Sequence, residues 1–236
     1  MIFAAGLGTR LQPHTADKPK ALVEVRGKPM LLHVAEKLMA AGVSDLVVNV
    51  HHHAGLLRQF IEQRHYPGVR FRVSDETDEL LDTGGGLKKA APLLDGDGAF
   101  FVYNVDVLCD IDLLALWDWH HQQQALATLA VSNRNASRYF LWEEQRLAGW
   151  EHAKSKKRLW VKNNPPANFH KGAFSGIQVI SPAIFRLMTE TGAFSIRDAY
   201  LRLAATHHIT CFGHDPEGWL DVGTPEKLRK AQGFFI

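Results

Sequence analysis

Cysteine is scarce: Cys109 and Cys211 are the only two in 236 residues. Neither stands in a metal-type spacing, and no disulfide framework can be drawn from them, so a reduced, cytoplasmic setting is expected. Long apolar runs are missing as well. No stretch approaches the roughly 20 residues that a membrane span needs, and the N-terminus lacks the charged-then-apolar layout of a secretion signal. Charge of one sign is also missing, since Lys and Arg leave a formal net charge of only +2. That speaks against broad binding to nucleic acid. No internal repeat or low-complexity tract interrupts the chain. What is present is an ordinary folding composition, 46% hydrophobic and 22% charged, enough for one sizeable core.

The first half alternates strands and helices. Met1 to Ala5 reads as a short buried strand running straight into glycines. Pro29 to Ala41 reads as a helix, with Leu31, Val34, Ala35 and Leu38 on one face and Gly42 as its stop. Leu46 to Val50 is a second buried strand, Ala54 to Arg64 a helix, and Val69 to Val73 a third strand. Gly84-Gly85-Gly86 reads as a turn that opens another helix. Phe100 to Asn104 is a fourth strand that leads to Asp106. Such alternation implies a parallel sheet with helices on both faces, and ligands bind beyond the C-terminal ends of its strands. Gly6, His51, Asn104 and Asp106 all fall at such ends.

The second half is less regular. Ala125 to Val131 is a strand, and Tyr139 to Trp150 with Arg158 to Val161 read as antiparallel strands. The basic run Lys154 to Arg158 reads as a solvated turn, with a flap near an anionic substrate as the alternative. Residues 163–166 are a loop. Gly176 to Ile180 is a further strand, and Ser181-Pro182 opens a short helix. The whole is expected to be one unit over 1–236, with a nucleotide-binding half at about 1–124 and a sugar-side half at about 125–236.

The chemistry begins at Gly6-Leu7-Gly8-Thr9-Arg10, directly after the first strand. Glycines there let backbone N–H groups approach phosphate oxygens, and Arg10 adds a cationic fork. The run fits neither dinucleotide nor Walker fingerprints: Leu11 replaces the third glycine of the first, and the Gly-Lys-Ser/Thr of the second is absent. A bare turn remains open for the loop taken alone. Ten residues after Arg10 stands Lys20, within Lys18-Pro19-Lys20-Ala21-Leu22.

Together, Gly-Leu-Gly-Thr-Arg-Leu-x-Pro followed by Lys-Pro-Lys-Ala-Leu-Val-Glu-Val-x-Gly-Lys-Pro resembles the signature of the sugar-1-phosphate nucleotidyltransferases. Within that family the chain looks most like the short N-acetylmuramate-1-phosphate uridylyltransferase and mannose- or heptose-1-phosphate guanylyltransferase members. The resemblance covers nearly the whole chain and is thin from about Asn133 to Lys171. It implies a Rossmann-like α/β fold of GT-A type. The sheet would be mixed and mainly parallel, flanked by helices, with a small antiparallel sugar-side subdomain. It implies phosphate-binding, catalytic roles for Arg10 and Lys20. Ala4, Ala5, Gly6, Gly8 and Thr9 would form the nucleotide loop, joined by Thr83, Gly84, Gly85 and Asn104. Asp106 and Asp221, the latter in Trp219-Leu220-Asp221-Val222-Gly223-Thr224, would hold Mg²⁺. Such hard oxygen ligands suit that ion. Phe174-Ser175-Gly176-Ile177 matches the sugar-side strand, which implies Ser175 and Gly176 as sugar contacts. Ser175 is equally readable as an ordinary strand residue.

The implied reaction joins a nucleoside triphosphate to a sugar 1-phosphate, with UTP and N-acetylmuramate 1-phosphate, or GTP and mannose or heptose 1-phosphate, as substrates. A non-catalytic nucleotide-sugar-binding subunit is the alternative. A monomer or small homo-oligomer without nucleic-acid or membrane partners is expected. The chain departs from the family at Asn104-Val105-Asp106, where relatives usually carry glycine before the aspartate. Val105 either points into the core or narrows the nucleoside space. His51-His52-His53 is not expected to bind a metal, because consecutive extended residues point to opposite sides. One of them near the ribose is the more plausible role. Trp117 and Trp119 read as helix packing, and Trp142, Trp150 and Trp160 as core rather than a sugar wall.

Overall fold

The computed structural model describes residues 1–233 except 95, 97 and 216. Along the chain run β1 (Ile2–Phe3), one-turn 3-10 segments at Thr9–Leu11 and Lys20–Leu22, then β2 (Glu24–Val25) and β3 (Lys28–Pro29). Next come α1 (Met30–Ala40), β4 (Asp45–Val50), α2 (Ala54–Glu62), β5 (Arg70–Asp75), α3 (Asp82–Lys89) and α4 (Ala91–Leu94). They lead to β6 (Phe100–Asn104), β7 (Val107–Cys109), α5 (Leu113–Gln122) and β8 (Ala127–Ser132). A hairpin of β9 (Arg138–Glu143) and β10 (Arg146–His152) precedes β11 (Arg158–Trp160) and the long β12 (His170–Ile180). The chain ends in α6 (Ile184–Leu187), α7 (Ile196–Leu203), β13 (Ile209–Gly213), β14 (Trp219–Asp221) and α8 (Pro225–Ala231).

One mixed sheet of 10 strands runs through both halves, in the order β11-β10-β13-β8-β12-β6-β1-β4-β5, with β9 on β10 and β12. β6, β1, β4 and β5 are mutually parallel. β12 runs antiparallel to β6, β8 and β9, so it joins the parallel block to the antiparallel strands. The central strands are buried on both faces, which is why they read as continuous apolar runs. Alternate side chains enter two clusters: Phe101 and Tyr103 pack in one, Val102 in the other, and Val48 and Val47 divide in the same way.

Local chemistry sets the helix ends. Gly42 stops α1 with φ of 87°, and Val43 N–H donates back to the Leu38 carbonyl at 3.1 Å. Asp112 caps α5 by accepting from the N–H groups of Leu114 and Ala115 at 2.9 and 3.0 Å. Trp119 of that helix is indeed a packing residue, its indole N–H donating to the Cys211 carbonyl. Residues 154–157 form an exposed turn between β10 and β11. Among the described residues, no helix is long and apolar enough to cross a membrane.

Two local expectations need correction. Gly84-Gly85-Gly86 is not a turn: all three lie inside α3, buried. The strand expected from Gly176 to Ile180 begins earlier, at His170. Gly176 instead marks a bend within it, at φ of 78°, where the register with β8 shifts.

Candidate active site

The glycine loop leaves β1 beside Asn49, a buried residue of β4. Asn49 Oδ1 accepts from Ala4 N–H at 2.6 Å and from Ala5 N–H at 3.3 Å. Its amide nitrogen donates to Glu76 Oε1 at 2.7 Å, and Glu76 N–H donates to the Val50 carbonyl. Burial raises the Glu76 carboxyl above its ordinary range, against the hydrogen bond from Asn49. The Ala4 and Ala5 amides are therefore committed to the protein. These two N–H groups hold the loop in place, and the exposed stretch that follows faces solvent. Gly8 turns the chain at φ of 66°, with its carbonyl accepting from the Thr15 hydroxyl at 2.9 Å. Thr9 and Arg10 then sit exposed in a 3-10 turn anchored by buried Leu11.

Lys20, Asp106 and Asp221 come together from distant parts of the chain. Buried Ala21 anchors the 3-10 turn that carries Lys20, and the Lys20 ammonium pairs with Asp106. Asp106 lies in the tight turn between β6 and β7. Antiparallel pairing of β7 with β14 sets Val107 against Asp221, and Val222 N–H donates to the Asp106 carbonyl at 2.7 Å. The two aspartates thus occupy neighbouring strand ends. Asp221 pairs in turn with the Lys227 ammonium from the first turn of α8. A methyl group on Gly223 would lie 2.7 Å from Asp221 Oδ1 and 3.4 Å from an Arg10 guanidinium nitrogen. Only glycine there lets Arg10 and Asp221 approach the same point.

Arg134 was not anticipated. Its guanidinium lies 3.7 Å over the Trp219 ring and donates to the Phe174 carbonyl at 2.6 Å, while its Nε has no partner among the described residues. Burial lowers its pKa, and the Asp221 charge works against that. Lys227 and Asn49 were also missed. Lys227 leaves one signal in the sequence: a lysine in the first turn of a helix opposes the helix dipole unless something pairs it.

A cavity of about 500 Å³ opens beside this cluster, lined by Phe3, Thr83 and Asn104 on one side and by Tyr139, Trp150 and Arg197 on another. A larger one, about 700 Å³, lies at Trp119, Lys171 and His214 and contains none of the expected site residues. The smaller is the one that adjoins the aspartates, through Asn104. Trp150 is core by burial yet forms part of this wall, whereas Trp142 is fully buried.

Thr83 lines the cavity, and its hydroxyl accepts from Ile196 N–H at 3.1 Å. Gly84 and Gly85 turn away from it. Both donate N–H bonds to the Phe194 carbonyl, and added methyl groups would strike Phe194 and the Gly192 carbonyl within 2.4 Å. The packing of α3 on that backbone is by itself enough to require glycine at both positions. Ser175 is fully buried with its hydroxyl 2.6 Å from His214 Nε2, so it faces a protein partner rather than the cavity. Gly176 sits where a methyl would meet Asn104 and Val107 at 2.9 Å. Val105 is buried in the core, so its branched side chain takes no space from the site. His51 is tied to the Glu76 carbonyl at 2.6 Å.

The nucleotidyl transferase family model matches residues 1–144. The N-acetylmuramate alpha-1-phosphate uridylyltransferase of Caulobacter vibrioides is 34% identical, over 98% of this chain and 94% of that protein. A mannose-1-phosphate guanyltransferase of Yarrowia lipolytica is 33% identical over the full chain, which spans 63% of its length. Among solved structures, the UDP-glucose pyrophosphorylase from Acinetobacter baumanii superposes with a TM-score of 0.80 at 19% identity, covering 98% of this chain and 90% of the other. The chain belongs to the nucleotidyl transferase family, among its sugar-1-phosphate nucleotidyltransferases.

Proposed function

We propose that the chain transfers a nucleoside monophosphate from a nucleoside triphosphate to a sugar 1-phosphate, giving a nucleoside-diphosphate sugar and pyrophosphate. The observation that carries this is the meeting of Asp106 and Asp221 on paired strand ends, with Lys20, Lys227 and Arg10 around them. UTP with N-acetylmuramate 1-phosphate is the first substrate pair, supported by the relative that matches nearly end to end. GTP with mannose or heptose 1-phosphate is the second.

The nucleophile is an anionic phosphate oxygen of the sugar 1-phosphate, so no general base is needed. It attacks the α-phosphorus in line, and pyrophosphate leaves. The work of the residues is positioning and charge neutralisation. The loop amides after Ala5, with Arg10 and Lys20, bind the triphosphate oxygens. Arg134, stacked on Trp219 near Asp221, meets the incoming sugar phosphate. Thr83 and Asn104 stand on the wall between nucleoside and sugar. Asp106 and Asp221 suit a divalent cation, Mg²⁺ on hard-oxygen grounds: both carboxylates already hold a positive group, the ammonium of a lysine. When bound, that ion supplies neutralisation of phosphate charge and a template for the triphosphate. A cytoplasmic enzyme of cell-envelope nucleotide-sugar synthesis fits this chemistry.

A pyrophosphate-release screen tests it, pairing four nucleotides with a panel of sugar 1-phosphates in the presence of Mg²⁺. Release with at least one pair is expected. A folded protein that binds nucleotide sugars and stays silent with every pair would be a binding subunit instead.

A further inference from the structure

The cavity beside Asn104 carries more positive charge than a neutral sugar requires. Arg138 and His152 stand directly opposite each other on β9 and β10, and both line it. Arg197, at the start of α7, lies over the Trp150 ring at 4.7 Å and lines the same cavity. One carboxylate, Asp82, faces them, and its Oδ1 already accepts from Thr83 N–H at 2.6 Å. Arg197 has Asp198 as partner at 2.6 Å, but Asp198 is not part of the cavity wall. Arg138 has no hydrogen-bond or ion-pair partner among the described residues. Arg58, Arg70, Arg72, Arg158 and Arg202 pair with carboxylates, whereas Arg64, Arg146, Arg186 and Arg229 have no such ion pair among the described residues; what sets Arg138 apart is that it also lines this cavity. An unpaired arginine facing a cavity is a vacancy for an anion.

Phosphate is not the anion that this rim is set to receive. Arg10 and Lys20, beside the aspartates, do not line the cavity. Arg138 and His152 come from β9 and β10, beyond β12 from Phe3 and Asn104, and Arg197 reaches the same cavity from α7 over the Trp150 ring. We infer that this chain's sugar substrate carries a carboxylate substituent, and that Arg138 and Arg197 read it. The inference rests on the transfer reaction proposed above and deepens it: it favours the acidic first pair over the neutral second and names the residues that discriminate between them. The aromatic face of Trp150 would pack against the ring of the sugar while holding Arg197 in place.

The test compares two sugar 1-phosphates that differ by one acidic group, N-acetylmuramate 1-phosphate and N-acetylglucosamine 1-phosphate. Their dissociation constants are measured by calorimetry on the full chain with Mg²⁺, with and without an α,β-methylene analogue of UTP. The acidic sugar is expected to bind about tenfold or more tightly, as a charge-assisted contact implies. Arg138→Gln and Arg197→Gln should each reduce that ratio severalfold, and Arg138→Lys should retain more of it than Arg138→Gln. Equal affinity for the two sugars, or a ratio that neither substitution changes, overturns the inference. Equal loss for both sugars would also overturn it, by making the arginines phosphate ligands. Pyrophosphate release, followed in parallel, separates the two ideas. Turnover without acidic preference refutes only the carboxylate assignment. Acidic preference in binding without turnover under any condition refutes only the transfer reaction.

Discussion

Gly84→Ala would place a methyl group where α3 meets the segment before α7. In an open helix interior this change stabilises by about 1 kcal/mol, since alanine gives up less backbone freedom. Here the added carbon would lie 2.3 Å from Phe194 Cε2 and 2.8 Å from the Phe194 carbonyl oxygen. The helix cannot back away freely. That carbonyl accepts from Gly84 N–H at 2.8 Å and from Gly85 N–H at 3.3 Å, so retreat strains both bonds. Overpacking of this kind costs about 1–3 kcal/mol, and a weakened buried hydrogen bond adds about 1. Against the helix gain, the net loss is about 1–3 kcal/mol. For a chain of this size that lowers Tm by roughly 2–12 °C. Circular dichroism melts of the two proteins would show it. The KM for sugar 1-phosphate should rise as well, because Thr83 and Ile196 join the same two elements and line the cavity. An unchanged or higher Tm would refute the packing argument and return these glycines to the nucleobase.

Further outcomes are expected. Asp106→Ala should lower kcat by orders of magnitude while leaving the far-UV dichroism intact; a folded variant with full pyrophosphate release would remove Asp106 from the site. Lys227→Met removes the ammonium that occupies Asp221, so Mn²⁺ binding to the nucleotide-free protein should tighten by about two- to fivefold, the scale of a partly exposed ion pair. Electron paramagnetic resonance would read it, and weaker Mn²⁺ binding would show that Lys227 holds Asp221 in shape instead. Glu151 is buried between Lys171 and Arg158, which hold its carboxyl below the ordinary range. Its contribution to stability is present above the unfolded value of about 4.3 and is lost as pH falls through the folded one. Melts from pH 7 to 3 should therefore show Glu151→Gln less stable at neutrality and less sensitive to acid than the parent; parallel curves would refute that coupling.

What the sequence revealed depended on how far apart the partners lie. The central strands of the parallel block were legible because they are buried on both faces, and α1 because Gly42 marks its stop. The loop from Gly6 to Arg10, Lys20 and the strand-end aspartates were legible through motif and position. The contacts that fix those motifs were not. Asn49 stands 45 residues from Ala4, and nothing near either shows that one side chain consumes two loop amides. Ser175 and His214 are 39 residues apart, so the hydroxyl's partner was invisible. The packing role of the α3 glycines was hidden for the same reason: their neighbour is Phe194, and a glycine needed for close packing looks the same in sequence as one facing a ligand. Val105, which breaks the family pattern, kept two readings open in the sequence, and its packing with Phe101 and Tyr103 in one core cluster decides between them. It precedes Asp106 and faces the core.

The site without ligand keeps its charges matched. Asp106 has Lys20 and Asp221 has Lys227, while Arg10 stands beside Gly223 within reach of the same point. On the proposed reaction both partners of each pair must turn outward, the carboxylates to a cation and the ammoniums to phosphate oxygens. A cation arriving alone would strand two ammoniums beside a new positive charge. A triphosphate arriving alone would face two carboxylates. Arriving together, they let each pair exchange partners with no charge left bare in a partly buried site, where an unpaired one is costly. Binding of the two is therefore expected to be coupled, each strengthening the other by the same factor. Lys20 and Lys227 then serve twice, first as placeholders for the cation and then as ligands of the phosphates that come with it.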